Sequence, residues 1–168
     1  MRIHITGASG SGTTTLGRAL ADERGARHLD ADDYYWLPTV PPFKEKRELS
    51  ERHDKLKVDI FSEPEVVLSG SIMGWGIEIE DSFDLIIFLY VPAEIRVDRL
   101  RERELQRCGT ADPAFLKWAQ EYDEGPSEGR SLKKHEAWLS NRSCPVLRIV
   151  GNISTKVQLR SIHAASAA

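Results

Sequence analysis

Eight residues near the start of the chain, Gly7-Ala8-Ser9-Gly10-Ser11-Gly12-Thr13-Thr14, restrict its architecture more than any other stretch. They follow a short strand-like run, Arg2-Ile3-His4-Ile5, and lead into a helical pattern with Leu16, Ala19 and Leu20 at i, i+3 and i+4. Glycines at these offsets let a loop turn its backbone N–H groups inward onto an anion, and the helix that follows adds the positive end of its dipole. The stretch matches the phosphate-cradling pattern G-x-x-x-x-G-K-[ST] at every defined position except the lysine, where Thr13 stands. Gly7, Gly10, Ser11, Gly12, Thr13, Thr14 and Thr15 are therefore the candidate nucleotide-binding positions, and the Thr14 hydroxyl is a candidate Mg²⁺ ligand. Anion binding needs chiefly amides, which Thr13 leaves in place. Fast phosphoryl transfer also needs a cation at the outer phosphates, so the chain raises the question of where that charge comes from.

A dinucleotide site is the nearest rival reading, since Asp30 falls near the ribose-binding distance from the glycines. The spacing argues against it: G-x-G-x-x-G would need glycine at 7, 9 and 12, and Ser9 is present. With 168 residues there is also little room for a separate substrate domain. The formal charge of −3, from 23 basic and 26 acidic residues, argues for a small-molecule partner and against a nucleic-acid one. Cys108 and Cys144 form no C-x-x-C pair, which fits a reducing compartment and leaves no four-ligand zinc site. No apolar run approaches the roughly 18 residues of a membrane span and no basic head precedes an apolar leader, so the expectation is a cytoplasmic protein without a membrane partner.

The rest of the chain alternates strands and helices. A second strand through Ala26–Leu29 ends at Asp30-Ala31-Asp32-Asp33. Residues 34–42 hold three prolines and read as loop, and a charged helix is expected from Phe43 to Phe61. The apolar runs Val66-Val67-Leu68 and 85–91 suit strands covered on both faces. Helical patterns follow over 92–107, over 113–124 with Asp112 as N-cap, and over roughly 127–141; then come a strand at 146–150 and a terminal helix from about Ser154. This order predicts one α/β domain, a three-layer doubly wound parallel sheet of five strands.

Asp30 and Asp32 lie two apart at a strand end, on one side of the extended chain, where α/β sheets bind ligands. One carboxylate there can serve a metal and the other an acceptor hydroxyl. Arg96, Arg99, Arg103 and Arg107 form one stripe of the helix over 92–107. Asp98–Arg101 and Glu104–Arg107 have salt-bridge spacing, whereas Arg103 lacks an acid at i±3 or i±4, which favours phosphate contact for Arg103 and Arg107. Arg130 is a weaker candidate. Lys44, Lys46, Arg47 and Arg52 read as a solvated helix face, and Tyr34, Tyr35, Trp36 and Trp75 as packing or ring-stacking residues.

Taken together, the Gly7–Thr14 loop, the Asp30-x-Asp32 strand end, the Val66-Val67-Leu68-Ser69-Gly70 strand and the run Ile86-Ile87-Phe88-Leu89-Tyr90-Val91-Pro92 before an arginine-rich helix resemble the superfamily of small P-loop kinases. This superfamily includes adenylate, shikimate and gluconate kinases. The resemblance covers nearly the whole chain and implies strand order 2-3-1-4-5, a substrate-covering segment at about 34–64 and an arginine-bearing lid at about 104–128. It further implies ATP and Mg²⁺ as cofactors, Asp30 serving the metal, Asp32 the acceptor, and Gly151 bordering the adenine. The activity expected is phosphoryl transfer to a nucleoside monophosphate or small hydroxylated metabolite, with a nucleotide-binding protein or slow hydrolase as the alternative that Thr13 keeps open.

Overall fold

The computed structural model of the chain describes residues 1–40, 42–126 and 128–166. Pro41 and Ser127, which fall in the expected substrate-covering and lid segments, and the end of the Ala/Ser tail, expected to fray, lie outside the described residues. In chain order the elements are β1 (Arg2–Gly7), α1 (Thr13–Arg24), β2 (Arg27–Asp30), α2 (Ala31–Tyr35), α3 (Leu49–Ser62), β3 (Val66–Ser69) and α4 (Ile77–Glu80). They continue with β4 (Leu85–Tyr90), α5 (Ala93–Cys108), α6 (Pro113–Gln120), α7 (Leu132–Ser140), β5 (Val146–Val150) and α8 (Thr155–Ser166). The strands form one parallel sheet in the order β2-β3-β1-β4-β5, as the resemblance implies.

Alternate residues of each strand point to opposite faces, and each face meets its own helices. Leu29, Val66, Leu68, Ile86 and Phe88 pack with Leu56 and Ile60 of α3 and with Trp138 and Leu139 of α7. Ile3, Ile5, Val67, Ile87 and Leu89 pack with Leu16 and Leu20 of α1 and Ile162 of α8. The inner strands β3 and β4 are buried on both sides, which is why they read as nearly continuous apolar runs. The centre of the first face is an exception, because β1 presents His4 and Thr6 there, both fully buried. Each makes one contact: His4 Nε2 lies 2.8 Å from Gly70 O, and Thr6 Oγ1 lies 3.2 Å from His135 Nε2, while His4 Nδ1 has no hydrogen-bond partner among the described residues. On the same side Glu80 accepts from Trp138 Nε1 at 2.6 Å and pairs with Arg142 at 3.0 Å, so a buried carboxylate is satisfied on two sides.

Several expectations change in detail. The helix expected from Phe43 begins only at Leu49. Residues before it cross back on the α2 exit: Leu37 N donates to Glu45 O, Arg47 N donates to Tyr35 O, and Phe43 takes a positive φ of 62°. Arg47 consequently donates to Tyr34 O instead of lining a solvated helix face. Residues 31–35, of which 31–33 were expected to end the strand and 34–35 to be loop, form the short helix α2 because the Asp30 carboxylate caps it through Asp32 N at 3.1 Å. Asp112 caps α6 as anticipated, accepting from Ala114 N at 2.9 Å, but α7 starts at Leu132, where the Ser131 side chain caps it. Among the described residues no helix is long and apolar enough to cross a membrane.

Burial keeps both internal imidazoles neutral, pushing His4 down to about 4 and His135 to about 3, against 6.5 for a free ring. Below pH 6.5 the unfolded chain binds protons that the native chain refuses, so native stability should fall from pH 6.5 toward 4 and show no histidine-driven slope above 7. The loss is at most about 1.4 kcal/mol per histidine per pH unit. Urea unfolding across this range, with the two ring resonances followed by NMR, checks it. Rings that titrate near 6.5 in the native protein would contradict it.

Candidate functional site

The loop after β1 is shaped by where side chains cannot go. A Cβ on Gly7 would sit 2.5 Å from Leu89 O, and one on Gly10 would sit 2.6 Å from Arg96 O. Gly10 and Gly12 also take φ values of 82° and 96°, the left-handed region that glycine alone enters without strain. Gly12 is the N-cap of α1, and among the described residues no side chain caps that helix. Its first N–H groups therefore meet the cleft, joined by the buried Ser11 hydroxyl, which has no hydrogen-bond partner among the described residues. Such a cluster of unpaired donors at a helix N-terminus fits a phosphate group.

A cleft of about 270 Å³ opens over this loop. Gly10 through Thr15 form its floor, Arg99, Leu100 and Arg103 of α5 form one wall, and Ile153, Thr155 and Gln158 form the other. Gly151, just after β5, takes φ 103° and its N–H donates to Tyr90 O, while Asn152 accepts from Arg99.

Thr14 and Asp30 meet across the sheet edge. Thr14 Oγ1 donates to Asp30 Oδ2 at 2.8 Å, and Ser69 Oγ, itself 3.0 Å from His28 Nε2, lies 3.4 Å from the same oxygen. A hydroxyl and a carboxylate side by side are hard oxygen ligands suited to Mg²⁺, an ion that keeps several waters and takes phosphate oxygens for the rest of its shell. No group of three or more His, Cys, Asp or Glu able to hold a metal occurs among the described residues. Asp32 follows two residues on, in the first turn of α2, an exposed residue whose carboxylate bonds the Trp36 side chain. Desolvation first and the Asp30 charge second raise its carboxyl above the ordinary range, while Arg130 and Arg103 pull it down.

The arginine stripe divides by burial. Arg96 is fully buried and structural, donating to Val91 O and Ala119 O and pairing with Asp123 at 3.3 Å. Arg99 bridges the loop to the far wall, with Nη1 to Gly10 O at 3.1 Å and Nη2 to Asn152 at 2.6 Å. Arg103 lines the cleft but does have an acidic partner, its sequence neighbour Glu104 at 3.3 Å. The expected Glu104–Arg107 pair does not form, although Asp98–Arg101 does at 2.6 Å, and Arg107 is exposed outside the cleft lining. Arg130, the weaker candidate from sequence, reaches the loop itself: its Nη2 lies 3.2 Å from Ser9 Oγ. Of the aromatic residues, Tyr34 and Trp75 belong to the core, while Tyr35 stacks near Trp75 beneath the Arg52 guanidinium.

Residues 3–110 match the AAA domain family. An uncharacterized protein of Bacillus subtilis, YqaC, is 44% identical over 162 residues, 90% of this chain and 89% of its own length. A cytidylate kinase of Pyrococcus furiosus is 31% identical over 70% of this chain, and the chain spans 64% of that enzyme's length. Among solved structures, deoxyadenosine kinase from M. mycoides with bound dATP superposes with a TM-score of 0.66 over the whole of both chains at 14% identity. Shikimate kinase from Acinetobacter baumannii in complex with shikimate superposes with a TM-score of 0.60 at 19% identity, over 98% of this chain and 93% of its own. At these identities the structural likenesses establish the fold.

Gly10 and Gly12 offer a test of the loop. Both are left-handed, but a Cβ on Gly12 meets nothing nearer than 3.9 Å, whereas one on Gly10 strikes backbone. Either substitution to alanine should cost about 1–2 kcal/mol of backbone strain, and Gly10→Ala should cost clearly more in urea unfolding. Equal losses would show that the loop is not pressed against α5.

Proposed function

The chain belongs to the AAA domain family, within the P-loop superfamily of nucleoside monophosphate kinase-like proteins, and from that premise we propose that it is an ATP- and Mg²⁺-dependent phosphotransferase. Its acceptor is a nucleoside monophosphate or a small hydroxylated metabolite. The observation that carries this reading is the Thr14–Asp30 contact of 2.8 Å beside the uncapped α1 terminus, with the Asp32 carboxylate two residues further along the chain. A bare anion site would not need two carboxylates of such different environment; phosphoryl transfer does, one for the metal and one for the nucleophile.

In this reading the amides of Gly10 to Thr15 hold the β- and γ-phosphates, and Thr14 and Asp30 hold Mg²⁺, which neutralises charge between them. Asp32 orients the acceptor hydroxyl and accepts its proton, for which a raised carboxyl is the better base. Arg99 and Arg103 line the nucleotide side of the cleft. The acceptor enters over Asp32 and is covered by the segment at about 34–64; the segment at about 104–128 closes over the nucleotide. Arg103 and Arg107 supply phosphate contacts once it does, and Gly151 borders the base. Support comes from the cytidylate kinase relatives and from the fold shared with deoxyadenosine and shikimate kinases. The second reading, a nucleotide-binding protein with slow hydrolysis, rests on Thr13: loss of a transition-state cation costs on the order of 10²–10⁵ in rate unless another group replaces it.

A thermal-shift series with ATP, GTP and NADH in the presence of Mg²⁺, followed by an acceptor screen for ADP release, tests the proposal. ATP or GTP should stabilise the protein and NADH should not. Asp32→Asn should abolish ADP release stimulated by the acceptor while leaving the nucleotide-dependent shift nearly unchanged. Full turnover in this variant would remove Asp32 from the reaction, and ligand-induced stabilisation by NADH alone would overturn the kinase assignment.

A further inference from the structure

Thr13 leaves the phosphate loop without the cation its pattern calls for, and most arginines around the loop already have partners. Arg96 is buried under three contacts, Arg99 spends both terminal nitrogens on Gly10 O and Asn152, and Arg103 is exposed and paired with Glu104. Arg130 differs from all of them. Its guanidinium is half-buried, touches the neutral Ser9 hydroxyl of the loop at 3.2 Å and lies 5.8 Å over the Trp118 ring. Among the described residues it makes no salt bridge, and against desolvation its ionised form is favoured first by the more distant Asp32, then by Tyr122 and Tyr35. Arginine stays charged in proteins, and a desolvated charge without a counter-ion costs free energy that an incoming anion recovers.

The position is also rigidly supported. Lys134 Nζ donates to Gly129 O at 2.7 Å, Trp118 Nε1 donates to Glu128 O at 3.0 Å, and Leu132 N donates to Tyr122 O at 2.9 Å. Gly129 takes φ 85°, and a Cβ there would press on Trp118 Nε1 at 3.1 Å, so the turn presenting Arg130 follows the Trp118 ring closely. Tyr122 and His135, bonded at 2.6 Å, tie this turn to Thr6 in the strand that carries the loop. A guanidinium braced in this way loses little conformational freedom when it meets a phosphate.

We propose that Arg130 supplies the positive charge that Thr13 does not, placing its guanidinium on the terminal phosphate of the bound nucleoside triphosphate in place of a loop lysine. The inference rests on the kinase reading above and assigns the cation to a residue distant in sequence from the loop. No bond to Arg130 forms or breaks; it neutralises charge on the transferring group.

The test compares ATP with ADP, because only ATP carries the phosphate at issue. Equilibrium affinities for both, with Mg²⁺, are measured on the parent protein, Arg130→Ala, Arg130→Gln, Thr13→Lys and Thr13→Lys/Arg130→Ala. Arg130→Ala should weaken ATP binding about ten- to a hundredfold, the scale of a charge-assisted contact, while ADP changes less than about threefold. Thr13→Lys should restore most of that loss in the Arg130→Ala background yet add less than about threefold to the parent. Arg130→Gln keeps the side-chain bulk and should behave as Arg130→Ala, so a folding defect in one variant does not decide the outcome. An unchanged ATP-to-ADP ratio in both Arg130 variants, or an equal gain from Thr13→Lys in both backgrounds, overturns this inference alone. If neither ATP nor GTP binds the parent, the kinase reading fails and this inference fails with it.

Discussion

The left-handed turn at Gly10 and Gly12, pressed between β4 and the start of α5, is the constraint on which the rest of this structure depends. The loop lies so close that a Cβ on Gly7 would meet Leu89 O at 2.5 Å and one on Gly10 would meet Arg96 O at 2.6 Å. The surface it lies against must therefore be fixed, and Arg96 fixes it. Burying a guanidinium is expensive unless its donors are satisfied, and here they hold the β4 exit at Val91 O and the end of α6 at Ala119 O and Asp123. One buried arginine thus locks together β4, α5 and α6, and its own carbonyl then sets the height of the phosphate loop. This explains why Arg96 belongs to the helical stripe by spacing yet not to the cleft by function.

The strand order does the same for the carboxylates. β3 lies between β1 and β2, so Asp30 at the β2 end is one strand removed from the loop, and its register partner Ser69 fills the gap. Asp30 is held by Thr14, by Ser69 and by Asp32 N, which makes it both the cap of α2 and a carboxylate fixed beside the helix α1 terminus. Asp32, inside the first turn that Asp30 caps, is bonded instead to the Trp36 side chain. Two carboxylates two residues apart thereby acquire different environments: Asp30 is fixed by three donors, while desolvation and the Asp30 charge raise the Asp32 carboxyl.

What could be read from the sequence follows the range of the forces involved. The glycine loop, the Asp30-x-Asp32 strand end and the five strands are local patterns, and β4 in particular could be recognised because both its faces are apolar. The helix expected from Phe43 failed because residues 43–48 pair with the α2 exit through long-range backbone bonds that helix propensity does not register. The short helix α2 escaped notice because its stability comes from a cap that also served as a site residue. The arginines were hardest, since spacing on a helix tells which side chains share a face and not which face is buried. By spacing Arg96 and Arg103 are equivalent; by packing one is in the core and the other in the cleft. Arg130 carried no local signal, since its contact with Ser9 joins residues 121 positions apart.

That separation has a physical consequence for the site. A lysine on the loop would bring its charge to the phosphates as soon as β1 and α1 are formed, because it is carried by the turn itself. A cation presented from between α6 and α7 arrives only when Trp118, Tyr122 and Gly129 have braced the turn before it. Order in that turn and affinity for the terminal phosphate then become linked quantities: whatever holds the turn in place raises the affinity, and by reciprocity a bound triphosphate holds the turn. A diphosphate, which lacks the group Arg130 addresses, exerts no such hold. On the assignment of the cation to Arg130, replacing a lysine by Thr13 therefore leaves the charge available but moves its control from the loop to the α6–α7 segment, so that order in that segment depends on the nucleotide's phosphorylation state.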